Sequence, residues 1–174
     1  MQHSSQSSHP AFHSNTAPTM RLTSYTDYAL RTLMHLAINR ENLVTIQDIA
    51  EHHAIAKNHL SKVVHQLGQL GLVETLRGRN GGLKLACEPK EINIGTLVRQ
   101  TETDFYMAEC FERGNDNCPY LPSCALKGVL GAATKAYFQV LDDVTLDQLL
   151  GKGSTSEGKR DLGKPIRFQA AKKK

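Results

Sequence analysis

At 174 residues the chain is most simply one domain with appendages, long enough to bury a real core. Its apolar runs break within a few residues, which excludes a membrane span, and no basic segment followed by an apolar run marks a secretory signal, so a cytoplasmic protein with reduced thiols is expected. The net charge of +4 is uneven: residues 1–150 hold 13 Lys+Arg and 15 Asp+Glu, a balance of −2, while residues 151–174 hold 8 and 2, a balance of +6. Nucleic-acid binding must therefore rest on local placement of charge in a near-neutral body.

Residues 1–19 contain no Lys, Arg, Asp or Glu and few large apolar residues, the composition of a disordered N-terminal extension. His3, His9 and His13 are scattered in it and read as solvated rather than as a metal site. The structured chain is expected to start near Met20.

Residues 23–40 predict an amphipathic helix, with Ala29, Leu30, Leu33, Met34, Ala37 and Ile38 at helical spacing and Thr23 or Ser24 as cap. Asp27 and Arg31 share a face four residues apart. Taken alone, Asp27 reads as the acidic half of a capping box with Ser24.

Residues 45–71 predict a helix-turn-helix. Thr45 and Asp48 form a capping box, a short helix follows through Ile46, Ile49 and Ala50, and a brief connection spans 53–56. The second helix, about 57–70, places Leu60, Val63, Val64, Leu67 and Leu70 on one side. Lys57, Asn58, Ser61, Lys62, His65, Gln66 and Gln69 fall on the other side or near it. That polar face lacks acidic residues and is rich in groups that bond base edges and phosphates, although an ordinary solvated face has the same pattern.

The stretch Val73–Leu85 adds a hairpin. Two short alternating segments flank Arg77-Gly78-Arg79-Asn80-Gly81-Gly82, and Asn80-Gly81 is expected to form the turn because both residues accept positive φ. A helix-turn-helix followed at once by a hairpin is a winged helix, and Arg77, Arg79 and Lys84 place positive charge on the wing. Candidate DNA contacts are thus Thr45, Lys57, Asn58, Ser61, Lys62, His65, Arg77, Arg79 and Asn80. Cys87, at the end of the second strand, reads as a small buried hydrophobe or, alternatively, a metal ligand. Asn93 is expected to cap a helix over 94–100.

The stretch Cys110–Cys124 concentrates three of the four cysteines as Cys110-x7-Cys118-x5-Cys124, with Gly114, Asn115, Asp116, Asn117, Pro119 and Pro122 between them. This is loop chemistry with little apolar material to bury, so something other than hydrophobic collapse must order it. Three thiols cannot complete the usual four-ligand set of zinc or a cubane cluster, so a fourth ligand must come from elsewhere. The wide spacing suits a cluster better than the tight knuckles of zinc, but zinc and a redox thiol pair stay open. A long helix follows to about Leu141, opened by Pro122 and Ser123. Its apolar positions extend round it, and Gly128, Gly131, Ala132, Ala133 and Ala136 permit close approach of another helix. A second subunit or the first helix is expected to cover it. Thr145 caps a short helix over 146–150, and residues 151–174 read as a disordered basic tail. No phosphate-cradling glycine loop or nucleophile–base pair points to an enzyme.

Along MRLTSYTDYALRTLMHLA, KNHLSKVVHQL, LRGRNGGLKLACEPKEINIGTLVRQTE, the three cysteines and LDDVTLDQLL, the chain resembles the iron–sulfur winged-helix repressors of bacteria, and within them the nitric-oxide-sensing NsrR type. The resemblance implies a mainly α fold with a small β-hairpin wing: a winged helix-turn-helix (20–104), a cluster-binding loop (105–124), and a dimerisation helix with a C-terminal helix (125–150). It implies a homodimer on double-stranded operator DNA, with a 4Fe–4S cluster, less readily a 2Fe–2S one, held by Cys110, Cys118 and Cys124. Asp27 of the partner subunit is then the fourth ligand, steadied by Arg31, and nitric oxide is the signal that releases the operator. The first cysteine gap is longer than in some relatives. Competing readings are a sensor of iron or cluster supply in the same family, and a zinc-stabilised winged-helix adaptor.

Overall fold

The computed structural model describes residues 21–150 apart from 104, 113, 115–117 and 121–122. The two tails expected to be disordered lie outside the described residues, as does Pro122. Helix α1 (Ser24–Ile38) begins where the Thr23 hydroxyl accepts a hydrogen bond from the Thr26 N–H at 3.3 Å. Its buried stripe of Thr26, Ala29, Thr32, Leu33, Leu36 and Ala37 forms the middle of the core. Four further helices, at Ile46–His53, Lys57–Gln69, Ile94–Thr101 and Leu146–Leu149, and the strand Gly82–Leu85 all pack on it.

Helix α2 (Ile46–His53) carries the expected capping box. Thr45 Oγ1 accepts from the Asp48 N–H at 3.2 Å, and Asp48 Oδ2 accepts from the Thr45 N–H at 2.8 Å. These bonds hold the Asp48 carboxyl below its ordinary range. The helix ends at Ala54, a non-glycine residue in the left-handed region at φ 53°, whose N–H reaches the carbonyls of Ala50 and Glu51. Helix α3 (Lys57–Gln69) buries Leu60, Val63, Val64 and Leu67, as its periodicity predicts, while Leu70 is only half-buried.

Strands β1 (Val73–Leu76) and β2 (Gly82–Leu85) pair antiparallel in the register Val73↔Leu85 to Leu76↔Gly82. The hairpin is as expected, but its turn is not. The register leaves residues 77–81 as the loop, too long for a two-residue Asn-Gly turn. The left-handed residue is Gly78, at φ 116°, and Asn80 has no positive φ. Gly81 is required for a different reason: a Cβ there would lie 2.2 Å from the Leu76 carbonyl oxygen. Val44 makes an isolated antiparallel bridge to the wing, through Val44 N–H to Leu83 O (3.1 Å) and Leu83 N–H to Val44 O (2.8 Å). The wing is thereby fastened to the residue that precedes α2.

Helix α4 (Ile94–Thr101) starts at Asn93, whose Oδ1 accepts from the Thr96 N–H at 2.9 Å. Helix α6 (Leu146–Leu149) returns beside it: Ile94 N–H donates to Val144 O (3.0 Å) and Leu146 N–H to Ile92 O (2.9 Å). Between them runs the long helix α5 (Ala125–Asp142), which starts after Cys124 and packs on α4 rather than on α1. Arg99 grips Asp142 with two parallel bonds, of 2.5 and 2.7 Å, and its guanidinium lies 4.3 Å above the Phe138 ring. The bond from Arg99 depresses the Asp142 pKa below its ordinary 3.8. This tether therefore contributes stability above that value and loses it as pH falls through the lowered one. The close approach depends on Gly95, where a Cβ would meet Asp142 Oδ1 at 2.0 Å and the Asp142 backbone nitrogen at 2.9 Å. Gly95→Ala is accordingly expected to destabilise the fold by about 1–3 kcal/mol through overpacking, read by denaturant unfolding. A stability equal to wild type is inconsistent with this packing.

Candidate nucleic-acid interface and thiol loop

Lys57, Asn58, Ser61, Lys62 and His65 recur along α3 at one-face spacing, and all five are exposed. The face begins at a helix N-terminus, where Ala56 provides no side-chain cap, so the positive end of the helix dipole is open to an anion. Part of the polarity is spent internally. The Ser61 hydroxyl donates to Lys57 O at 2.9 Å, and Asn58 Oδ1 accepts from the His59 N–H at 2.9 Å. Gln66 is drawn off the face to donate to Gln100 O at 2.9 Å. Thr45 is exposed, with its hydroxyl engaged by Asp48 at 2.8 Å.

On the wing, Arg77, Arg79 and Asn80 are exposed, and among the described residues neither arginine has an ion-pair partner. Lys84 differs from expectation: Glu74, its cross-strand neighbour, pairs with it at 3.2 Å and cancels its charge. The basic part of the wing is therefore its tip.

Asp27 does not cap α1. Thr23 is the N-cap, one residue earlier than a box with Ser24 requires, so the third helical position is Thr26. Asp27 instead meets Arg31 at two points, Nε to Oδ1 and Nη2 to Oδ2, both 3.0 Å, with both side chains partly exposed. Around this pair, α1 is tied to two other helices. Tyr25 Oη donates to Lys62 O on α3 at 3.2 Å, Thr26 Oγ1 donates to the buried Thr101 Oγ1 on α4 at 2.9 Å, and the Thr23 N–H donates to Glu102 Oε1 at 2.9 Å.

From Glu102 to Asp143 no described residue is buried. A small aromatic cluster, Phe105 with Tyr137 (5.1 Å between ring centroids) and with Phe138 (4.7 Å), pins the start of this segment to α5. Cys110, Cys118 and Cys124 lie within the segment, all reduced and each half-buried. Cys124 is the N-cap residue of α5 but makes no side-chain capping bond, so its sulfur is uncommitted. The single chain does not gather the three thiols and Asp27 into one ligand set. Three uncommitted thiols in a segment without a buried core suit soft-metal or cluster ligation by their donor chemistry. Cys87 does not match them: it packs against the core, and burial pushes its thiol pKa up.

Among the described residues, potential metal-ligating atoms converge at one place. His35 of α1 and His52 and His53 of α2 bring one nitrogen each within 4.8 Å of one another. The adjacent histidines near the end of a helix were the available signal; the third member comes from a different helix and was invisible.

Residues 22–152 match the model of the Rrf2 family, described as "Iron-dependent Transcriptional regulator". The chain is 51% identical over 132 residues to the HTH-type transcriptional regulator NsrR of Shouchella clausii, covering 75% of this chain and 89% of that protein. It is 48% identical over 151 residues to NsrR of Bacillus subtilis, covering 86% and 99%. Among solved structures it is similar to the global cysteine regulator CymR of B. subtilis (TM-score 0.63, 26% identity, 78% of this chain and 100% of that one). It is likewise similar to T. potens IscR (TM-score 0.62, 25% identity, 78% and 89%).

Proposed function

This chain belongs to the Rrf2 family and is an NsrR-type, DNA-binding transcriptional regulator rather than an enzyme; on that premise we propose that it is a cytoplasmic homodimeric repressor whose iron–sulfur cluster senses nitric oxide. The observation that carries the reading is the absence of any buried residue among those described from Glu102 to Asp143, in a segment that contains three reduced cysteines. A segment without its own core needs an inorganic centre and a second subunit to hold it.

In this reading Cys110, Cys118 and Cys124 hold three corners of a 4Fe–4S cluster and the partner subunit's Asp27 holds the fourth. When bound, that cluster supplies iron with which nitric oxide reacts. Arg31 steadies the carboxylate without exhausting it, because an ionised carboxylate accepts at about four lone-pair sites. Asp27 stands on a helix joined to α3 through Tyr25 and to α4 through Thr26 and Thr23. Holding Asp27 therefore holds the pose of α3, and releasing it frees α3 to change tilt relative to its counterpart. A coupling of ~1–3 kcal/mol suffices to lower operator affinity several-fold or more.

Contacts to DNA are assigned to Thr45, Lys57, Asn58, Ser61, Lys62 and His65 in the major groove, and to Arg77, Arg79 and Asn80 at the wing tip. Arg79→Ala is expected to weaken operator binding by about tenfold at low salt and to flatten log K against log salt by about 0.9, one phosphate's worth. A salt slope identical to wild type removes Arg79 from the interface. The reading as a whole is tested by anaerobic purification. The protein should be brown, contain iron and sulfide in equal amounts, and change its visible absorbance on stoichiometric nitric oxide. A colourless protein with tightly bound zinc overturns it.

A further inference from the structure

His35, His52 and His53 lie away from the thiol loop, and nothing in the proposed mechanism uses them. His35 sits on the same stripe of α1 as Asp27 and Arg31, one further turn along. His52 and His53 close the last turn of α2, and Ala54 is held in the left-handed region immediately after them. The three rings meet edge to face, with centroids 4.8 Å (His35–His52), 5.4 Å (His35–His53) and 4.8 Å (His52–His53) apart. His53 Nε2 is buried and has no hydrogen-bond partner. A buried nitrogen with nothing to bond is costly, and it persists in native proteins chiefly where an unseen water or ion satisfies it.

We propose that His35, His52 and His53 form a second metal site, independent of the cysteines, for a divalent cation of the zinc class. Three neutral imidazoles are the donor set that zinc, nickel and copper accept, with water in the fourth position. Tetrahedral zinc at about 2.0–2.1 Å from each nitrogen places its ligands roughly 3.3 Å apart. From their observed separation of up to 4.8 Å the nitrogens close inward on binding the ion. His52 is exposed and provides the entry path, while the buried Nε2 of His53 supplies the anchored end. The bound ion clamps α1 to the first helix of the helix-turn-helix, just before the turn that leads into α3.

The test uses the full chain with Cys110, Cys118 and Cys124 all replaced by Ser, which removes competition from the thiols. Zn²⁺ alone is titrated against a chromophoric chelator, and thermal unfolding is followed with and without it. One Zn²⁺ per chain is expected, with a raised Tm. Adding His52→Ala, at an exposed position, is expected to weaken Zn²⁺ binding by at least about tenfold and to abolish the Tm rise, since loss of an outer-shell partner alone costs about 10–100-fold. If the Ser variant fails to fold, Co²⁺ is added to the unmodified full chain and to His52→Ala. The nitrogen-ligated visible bands should vanish in the variant while sulfur-to-metal charge transfer persists. Binding no tighter than millimolar, or binding and spectra unchanged by His52→Ala, overturns the proposal. Iron, sulfide and nitric-oxide response of the unmodified protein are read separately, so failure here leaves the cluster reading untouched, and the reverse also holds.

Discussion

In the proposed homodimer, Val129→Glu is expected to part the subunits into monomers and to lower the affinity for a full operator by about a hundredfold or more. Helix α5 presents Leu126, Val129, Ala133, Ala136 and Val140 at alternating spacings of three and four, all exposed in the single chain. Leu126, Val129 and Val140 are 63%, 65% and 63% exposed. Isolated apolar side chains on a surface are ordinary, but a continuous seam along an 18-residue helix with no buried residue is not. Such a 3–4 repeat is what two helices need to interlock, and the alanines in its middle let the backbones come close. A carboxylate at Val129 must be desolvated at the seam or must part it, and it meets its own symmetry mate if the contact is two-fold. The loss on DNA follows from linkage. Two half-site readers joined in one dimer bind about 10²–10⁴-fold better than either alone, and separate monomers forfeit that factor. Light scattering after size exclusion, with operator titration on the same samples, checks both halves. A variant that stays dimeric and binds normally places the subunit contact elsewhere.

Cys118→Ala carries the second large effect. With one of three thiolates gone, the chain is expected to lose iron and sulfide altogether, and its operator binding to become indifferent to nitric oxide. The reason is that little among the described residues orders the segment: none is buried, the aromatic anchor at Phe105 lies outside the cysteine stretch, and within that stretch Phe111 only leans on α5, with Lys127 Nζ 5.8 Å from its ring centre. Asp27→Ala should act more mildly, because the thiolate set remains. The variant should retain iron on anaerobic purification but lose it faster and respond to nitric oxide with altered kinetics. Operator affinity of Cys118→Ala is expected to fall about 5–150-fold relative to the loaded protein, the range of a typical coupling free energy. Iron and sulfide analysis, visible spectra and operator titration under anaerobic conditions decide it. A Cys118→Ala protein that keeps its colour and its regulated binding refutes the ligand assignment.

Much of this molecule was legible in the chain because it is written at short range. The capping box of Thr45 and Asp48, the buried stripe of α3, the cap at Asn93 and the pairing of 73–76 with 83–85 are all matters of neighbours a few residues apart. Periodicity and hydrogen-bonding side chains specify such features wherever the sequence occurs. The exposed polar face of α3, proposed above to meet DNA, was readable for the same reason, since five residues on one helical face need no distant partner to be placed.

What distance decided was different in kind. Asp27 is left out of the cap because Thr23, which bonds Glu102 at the C-terminal end of α4, sets the helix start one residue earlier, while its pair with Arg31 is the short-range one their spacing predicts. Lys84 lost its charge to a cross-strand Glu74, and the wing's turn moved to Gly78 because Leu76 pairs with Gly82. Helix α5 chose α4 over α1 because Gly95 leaves room for Asp142 and Arg99 closes on it. The three histidines met only when α1 and α2 packed. Local order follows from bonds within a turn or two, which a linear string contains. The meeting of remote groups follows from which faces the core draws together, and only the folded chain specifies that.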